Sequence, residues 1–187
     1  MIPAHVSVPG DKSISHRLLI LGALATGRSR ITGLPAGLDV ASTRRCLAAI
    51  GARFEAAPEG AGSVEGPAQW RSAPTALDRG NSGTPARLMS GLLVGLGIGA
   101  HLEGDRSLSA RPMDRVVYPL QAMGARVRYL GDPDRLPVHI EPRTTGSLRT
   151  LRYRPRVSSA QVRGSLLLAA LASRTDIEIL DRGHARD

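Results

Sequence analysis

Three stretches of the chain share one pattern: a few small or polar residues, then an almost wholly apolar segment of helical length. Lys12-Ser13-Ile14 precedes residues 18–27, Asn81-Ser82-Gly83-Thr84 precedes residues 87–99, and Ser158-Ser159-Ala160-Gln161 precedes residues 165–173. A helix that is apolar on every side belongs between layers. Residues 40–51 and 112–124 instead set charges against apolar positions at helical spacing, which predicts amphipathic helices on the outside. Residues 4–8, 29–33, 101–104 and Val138-His139-Ile140 read as strands, and Pro9-Gly10-Asp11 and Asp132-Pro133-Asp134 as turns. Residues 58–74, rich in Gly, Ala and Pro, predict short edge strands joined by surface turns.

The pattern is an internal duplication. Leu47-Ala48-Ala49-Ile50-Gly51-Ala52-Arg53-Phe54 recurs as Leu120-Gln121-Ala122-Met123-Gly124-Ala125-Arg126-Val127 in the same relative place. Each unit reads as an inner apolar helix, a strand, an outer amphipathic helix and closing strands, and a third unit begins without finishing. The fold class is α/β, or α+β, built from repeated units.

Composition narrows the partners. The 187 residues are 42% hydrophobic and only 3% aromatic, so the core is aliphatic. The net charge of +9 favours nucleic acid, acidic lipid or small phosphorylated and carboxylated molecules. One Trp, one Phe and dispersed arginines offer neither stacking platforms nor a continuous basic helix, which puts nucleic acid below small anions. Cys46 is the only cysteine, so neither an intramolecular disulfide nor a cysteine zinc cluster is available, and its amphipathic setting predicts a small buried side chain. The five histidines lack ligand-like spacing. The longest apolar run, residues 88–100, is too short to span a bilayer, and the N-terminus lacks a signal peptide's plan, so a cytoplasmic location is expected.

The polar segments carry the candidate chemistry, since a helix start presents unpaired N–H groups and the positive end of a dipole. Ser13 and Arg17 share a helix face with Lys12 just before it. Ser13 could equally be a simple cap. A nucleoside-triphosphate P-loop is excluded, because the Gly-x-x-x-x-Gly-Lys spacing is missing. Thr84 reads as a cap with Pro85 at the first helical position, while Gly83 would let a ligand reach the backbone. Ser158 and Gln161 fit a capping box. Arg87, one turn into its helix, and Arg111, beside Pro112, are either solvated or forked onto an anion.

Taken together, Pro9-Gly10-Asp11-Lys12-Ser13 with Arg17, Asn81-Ser82-Gly83-Thr84, Arg111-Pro112-Met113 and Ser159-Ala160-Gln161 resemble the 5-enolpyruvylshikimate-3-phosphate (EPSP) synthase family, in order and over the whole chain. The resemblance implies the enolpyruvyl transferase fold: two lobes of three βαβαββ-type units each, an inside-out α/β barrel, with the active site between them. Residues 1–12 would be a strand and crossover packing with the other lobe. Residues 13–187 would be the shikimate-phosphate-binding lobe, in units of roughly 13–80, 81–156 and an incomplete 157–187. The implied reaction transfers the enolpyruvyl group of phosphoenolpyruvate to the 5-hydroxyl of shikimate 3-phosphate, on the way to chorismate and the aromatic amino acids, with no metal or organic cofactor. By the same resemblance Lys12, Ser13, Arg17, Ser159, Ala160 and Gln161 bind shikimate 3-phosphate. Lys12, Asn81, Gly83, Arg111 and Gln161 form the phosphoenolpyruvate side, with Arg87 assisting, and Lys12 and Gln161 are the catalytic candidates.

Against the family pattern the sequence ends in its third unit, at Gly183-His184-Ala185-Arg186-Asp187, and Ala185 stands where a hydroxyl residue is expected. The implied partner is therefore the C-terminal lobe of the same enzyme, and the isolated chain is expected to be inactive and to expose apolar surface. Two other readings rank lower. UDP-N-acetylglucosamine enolpyruvyl transferases typically carry a loop cysteine, absent from residues 104–112, and an asparagine where Ser13 stands. A non-catalytic anion- or nucleic-acid-binding remnant would show steeply salt-dependent affinity for DNA or RNA.

Overall fold

The computed structural model describes residues 10–56, 61–78 and 80–180. The strand expected at residues 4–8 and the segment 183–187 with Ala185 lie outside these residues. Along the chain run α1 (Lys12–Leu24), β1 (Arg28–Ile31), α2 (Leu38–Ala49), β2 (Arg53–Ala56), β3 (Gly62–Glu65) and β4 (Leu77–Asp78). There follow α3 (Gly83–Leu96), β5 (Ala100–Glu103), α4 (Arg106–Ser109), α5 (Asp114–Ala122), β6 (Val127–Tyr129) and β7 (Val138–Ile140), then β8 (Leu151–Tyr153), α6 (Ala160–Ser173) and β9 (Ile177–Ile179).

The duplication is visible bond by bond. At the end of α2, Gly51 N donates to Ala48 O (3.0 Å) and Ala52 N to Leu47 O (3.0 Å); at the end of α5, Gly124 N donates to Gln121 O (2.8 Å) and Ala125 N to Leu120 O (3.0 Å). These bonds satisfy the last helical carbonyls and need a left-handed residue in the turn. Glycine supplies it in both copies, with φ of 121° at Gly51 and 100° at Gly124.

The strands form three small sheets: β1-β3-β2, β4-β5-β7-β6 and β8-β9. β4 pairs in parallel with β5, and β8 with β9, while the other pairings are antiparallel. One expectation changes here. β3, read from sequence as an edge strand, is the central strand of its sheet, because the chain returns between β1 and β2. β4 and β8, each just before an inner helix, pair with the strand that follows that helix.

α3 is the enclosed helix, with eleven of its 14 residues buried. It packs most extensively on α6 and also meets α1, α2, α5, β5 and β7. Leu88, Met89, Leu92 and Leu93 are wholly buried along it, each worth roughly 1.5–3 kcal/mol of burial. The other two inner helices are covered less fully, in line with the expected exposure of apolar surface. Ile14, Leu18 and Leu21 of α1 and Leu167 and Leu171 of α6 are 43–57% exposed.

The approach of α3 to α6 depends on glycine. A Cβ on Gly91 would lie 1.9 Å from the Ser165 carbonyl oxygen, and one on Gly95 would lie 2.6 Å from that of Ala169. Those atoms are backbone and cannot step aside, so any side chain there pushes the helices apart. Arg143 closes the C-terminal end of α3, donating to Val94 O (3.1 Å) and Gly95 O (3.3 Å), a cation suited to the negative end of the dipole. Gly91→Val is therefore expected to destabilise the chain by about 3 kcal/mol in urea unfolding. Gly37→Ser, at the start of α2 where a Cβ would meet nothing, should change stability by less than about 0.5 kcal/mol.

Candidate functional site

The caps of the inner helices differ from the sequence expectation in one consistent way: the residues read as caps are displaced from that role. Asp11, not Ser13, caps α1, its Oδ1 accepting from Ile14 N at 2.7 Å. In α3 the cap position is Ser82, so Thr84 and Pro85 sit inside the first turn, where Pro lacks only an N–H that has no helical acceptor anyway. In α6 the cap is Ser159, accepting from Val162 N at 3.4 Å. The Ser158–Gln161 capping box does not form, because the Gln161 amide points to α3 instead.

Hydrogen bonds tie the starts of α3 and α6 together, and Arg17 brings α1 alongside α6. Arg87 Nη1 donates to Gln161 Oε1 at 2.5 Å, and Gln161 Nε2 donates to Thr84 Oγ1 at 3.0 Å, joining α3 to α6. Arg17 donates to the Ser13 carbonyl at 3.0 Å, and its other nitrogen is 3.9 Å from where a Cβ on Gly164 of α6 would stand. Lys12 Nζ lies 2.6 Å from Asp39 Oδ2 at the start of α2. Lys12 holds the Asp39 carboxyl below its ordinary value; partial burial opposes this, and the Ser82 hydroxyl of α3 adds to it.

Arg111 arrives from the loop after β5. Asp105 caps α4 by accepting from Leu108 N (2.8 Å), and Arg111 N donates to Leu108 O (3.0 Å), with Leu108 buried as the anchor. Arg111 Nη2 donates to Asn81 Oδ1 at 3.1 Å. Gly83 lies beneath two guanidinium groups: a Cβ there would stand 3.1 Å from Arg111 Nη1 and 3.3 Å from Arg87 Nη1. Arg87 also donates to the Pro112 carbonyl at 3.0 Å, so it braces this loop against α6. Burial, then the nearby Arg111 and Arg115, press Arg87 below the usual guanidinium value, with Asp134 acting the other way.

Of the sequence candidates, Lys12, Arg17, Asn81, Gly83, Arg87, Arg111, Ser159 and Gln161 thus belong to one connected end of the lobe. Ser13 takes part through its backbone carbonyl, and Ala160 as the first residue of α6. Sequence reasoning missed Asp39 and Arg115, and read Thr84 only as a helix cap. It also missed His16, which is fully buried with Nδ1 2.8 Å from Thr43 Oγ1. The connected groups can fork onto an anion and offer it a helix N-terminus, and at Gly83 no side chain stands between the two guanidinium groups and the backbone. Among the described residues no group of three or more metal-ligating side chains occurs, and no helix is long and apolar enough to cross a membrane.

Fold and site therefore define a repeated α/β lobe whose converging helix starts and arginines suit a polyanionic small molecule. The chain belongs to the EPSP synthase (3-phosphoshikimate 1-carboxyvinyltransferase) family, which it matches over residues 1–186. It is 44% identical over 188 residues to the 3-phosphoshikimate 1-carboxyvinyltransferase of Afipia carboxidovorans, covering 100% of this chain and 42% of that relative. For the protein of the same name from Rhodopseudomonas palustris the identity is 46% over 182 residues, covering 96% and 40%. The solved EPSP synthase of Acinetobacter baumannii superposes with a TM-score of 0.89 at 35% identity, over 97% of this chain and 41% of the other. The chain spans about two fifths of the length of the relatives it matches.

Burial pushes the His16 imidazole from 6.5 down to about 4; Asp39 opposes the shift, and Lys12 and Arg17 add to it. The unfolded chain therefore takes up this proton at a higher pH than the folded one. Stability from His16 is complete above about pH 6.5 and is lost as pH falls towards 4, a loss of order 3 kcal/mol. Urea midpoints measured from pH 7 to 4 should fall in wild type and fall less steeply in His16→Gln.

Proposed function

We propose that this chain provides one lobe of a cytoplasmic 3-phosphoshikimate 1-carboxyvinyltransferase and holds its two anionic substrates, shikimate 3-phosphate and phosphoenolpyruvate. The observation that carries this reading is the pairing of Arg87 and Arg111 above the bare backbone of Gly83. Cations gathered this closely repel one another: Arg111 and Arg115 add to burial, the larger cause, in lowering Arg87, and a bound anion relieves that repulsion.

In this reading Arg111, Asn81 and Gly83 receive phosphoenolpyruvate, Arg111 forking onto its charged oxygens and Arg87 supporting from α3. Ser13, Arg17, Ser159, Ala160 and Gln161 receive shikimate 3-phosphate, whose phosphate gains from the free N–H groups of α1 and α6. Lys12 serves both substrates in this reading. Its ion pair with Asp39 is largely solvent-exposed, with side chains 55% and 30% accessible, and such pairs are worth about 0–1 kcal/mol. Lys12 can thus leave Asp39 for a substrate at small cost. Gln161 is oriented by Arg87 and Thr84 before any ligand arrives, which lowers the cost of fixing it at the enolpyruvyl group.

Adding the 5-hydroxyl across the enol double bond and then expelling phosphate requires one group to take the hydroxyl proton and another to protonate the methylene carbon. Lys12 is the candidate for proton transfer in this lobe. The remaining acids and bases would come from the C-terminal lobe of the enzyme. Holding both substrates against their mutual repulsion is this lobe's share of catalysis.

Calorimetric titration of the chain with each substrate tests the reading. Shikimate 3-phosphate should give saturable heat, and Arg17→Ala should weaken it about 10–100-fold, the worth of charge-assisted hydrogen bonds. Gly83→Ala, whose Cβ crowds two guanidinium tips, should leave shikimate 3-phosphate binding unchanged and weaken phosphoenolpyruvate by about tenfold or more. Affinities for both substrates that ignore both substitutions would contradict the assignment.

A further inference from the structure

On the outer face of the four-stranded sheet, His101 of β5 stands opposite His139 of β7. Their ring centroids are 4.3 Å apart with planes inclined at 54°. The kind of strand pair follows from β6, on the other side of β7. Glu141 N donates to Arg126 O and Leu130 N to Pro137 O, both at 2.9 Å, and Arg128↔His139 lies midway between them in the same register. His139 therefore directs its backbone N–H and C=O towards β6. Towards β5 it forms a non-hydrogen-bonded pair with His101, the arrangement that brings facing side chains closest.

His139 Nδ1 is buried and has no hydrogen-bond partner among the described residues. Burial, then His101 and Arg128, press His139 below its ordinary value, with Glu141 opposing. Neutral imidazole is the form that ligates metals. A cavity of about 470 Å³ lined by both histidines, Ser72 and Thr75 adjoins the pair and leaves room for water. The charges on this sheet face are mixed: Arg128 and Arg126 pair with Glu141 at 2.8 and 3.1 Å, and Glu103 lies two residues along β5 from His101.

We propose that His101 and His139 form a two-histidine site for a borderline divalent transition-metal ion, Zn²⁺ or Ni²⁺, with water completing the coordination. Imidazole suits these ions, whereas Mg²⁺ and Ca²⁺ require oxygen ligands. No third His, Cys, Asp or Glu joins the pair among the described residues, so the site binds modestly and reversibly. Because the ligands sit on separate strands, 38 positions apart in sequence, the ion binds only when β5 and β7 are paired and so clamps this sheet.

The test is titration of the chelator-treated chain with ZnCl₂, NiCl₂ and MgCl₂, by calorimetry and thermal unfolding. One equivalent of Zn²⁺ or Ni²⁺ should bind at pH 7.5. At about tenfold excess over the dissociation constant the midpoint should rise by roughly 3–6 °C. Mg²⁺ should do neither. His101→Asn, at an exposed position that leaves the fold intact, should abolish both effects, as should His139→Asn. His5→Ala should retain them. Saturable binding that survives in folded His101→Asn, or none in wild type, would overturn the proposal.

Discussion

The contact on which the rest of the lobe depends is the passage of α3 against α6 with no side chain between their backbones at Gly91 and Gly95. Dispersion and burial reward such closeness only while the interface stays free of bulk. The consequence appears one to two turns away, at the helix starts. With the axes this near, the amide of Gln161 reaches both Arg87 and Thr84. A wider crossing would break both hydrogen bonds of the Gln161 amide in a partly buried cluster, which is costly. The aliphatic helix surfaces thereby set the geometry of the polar site.

Polarity within α3 follows from the same enclosure. Its C-terminal carbonyls are satisfied by Arg143, while its first turn contains Gly83, which offers backbone N–H and no side chain. Around that turn the sequence supplies arginines, only some of whose charge is answered by carboxylates. Asp39 pairs with Lys12 before a ligand binds, and Asp134 accepts from the backbone of Met113 at 2.8 Å. Excess positive charge at one end of the lobe, rather than the total of +9, is what makes a polyanion the fitting ligand.

Much of this was legible in the sequence, for reasons that are local. The repeat of Leu47–Phe54 at Leu120–Val127 predicted a shared helix ending, and the matching hydrogen bonds at Gly51 and Gly124 bear that out. Helix types, the buried place of Cys46 and most strands followed from periodicity. What failed was decided by choices among neighbours or by distant pairing. Asp11 and Ser13, Ser158 and Ser159, and Ser82 and Thr84 are all competent caps, and tertiary contacts choose among them. Gln161 gives up its local capping role because Arg87, 74 positions away, is the better partner. β3 is central, and His101 meets His139, only because of sheet register, which a one-dimensional pattern does not carry.

The most direct measurement is a crystal structure of the chain grown in selenate, with the anion located by its anomalous scattering. Convergence of the helix starts on a polyanion site predicts selenate within hydrogen-bond reach of the Arg87 and Arg111 guanidinium groups and the backbone at Gly83. Selenate held elsewhere, for instance at Arg126 and Arg149, with the Gly83 cluster vacant at the same concentration, would contradict it.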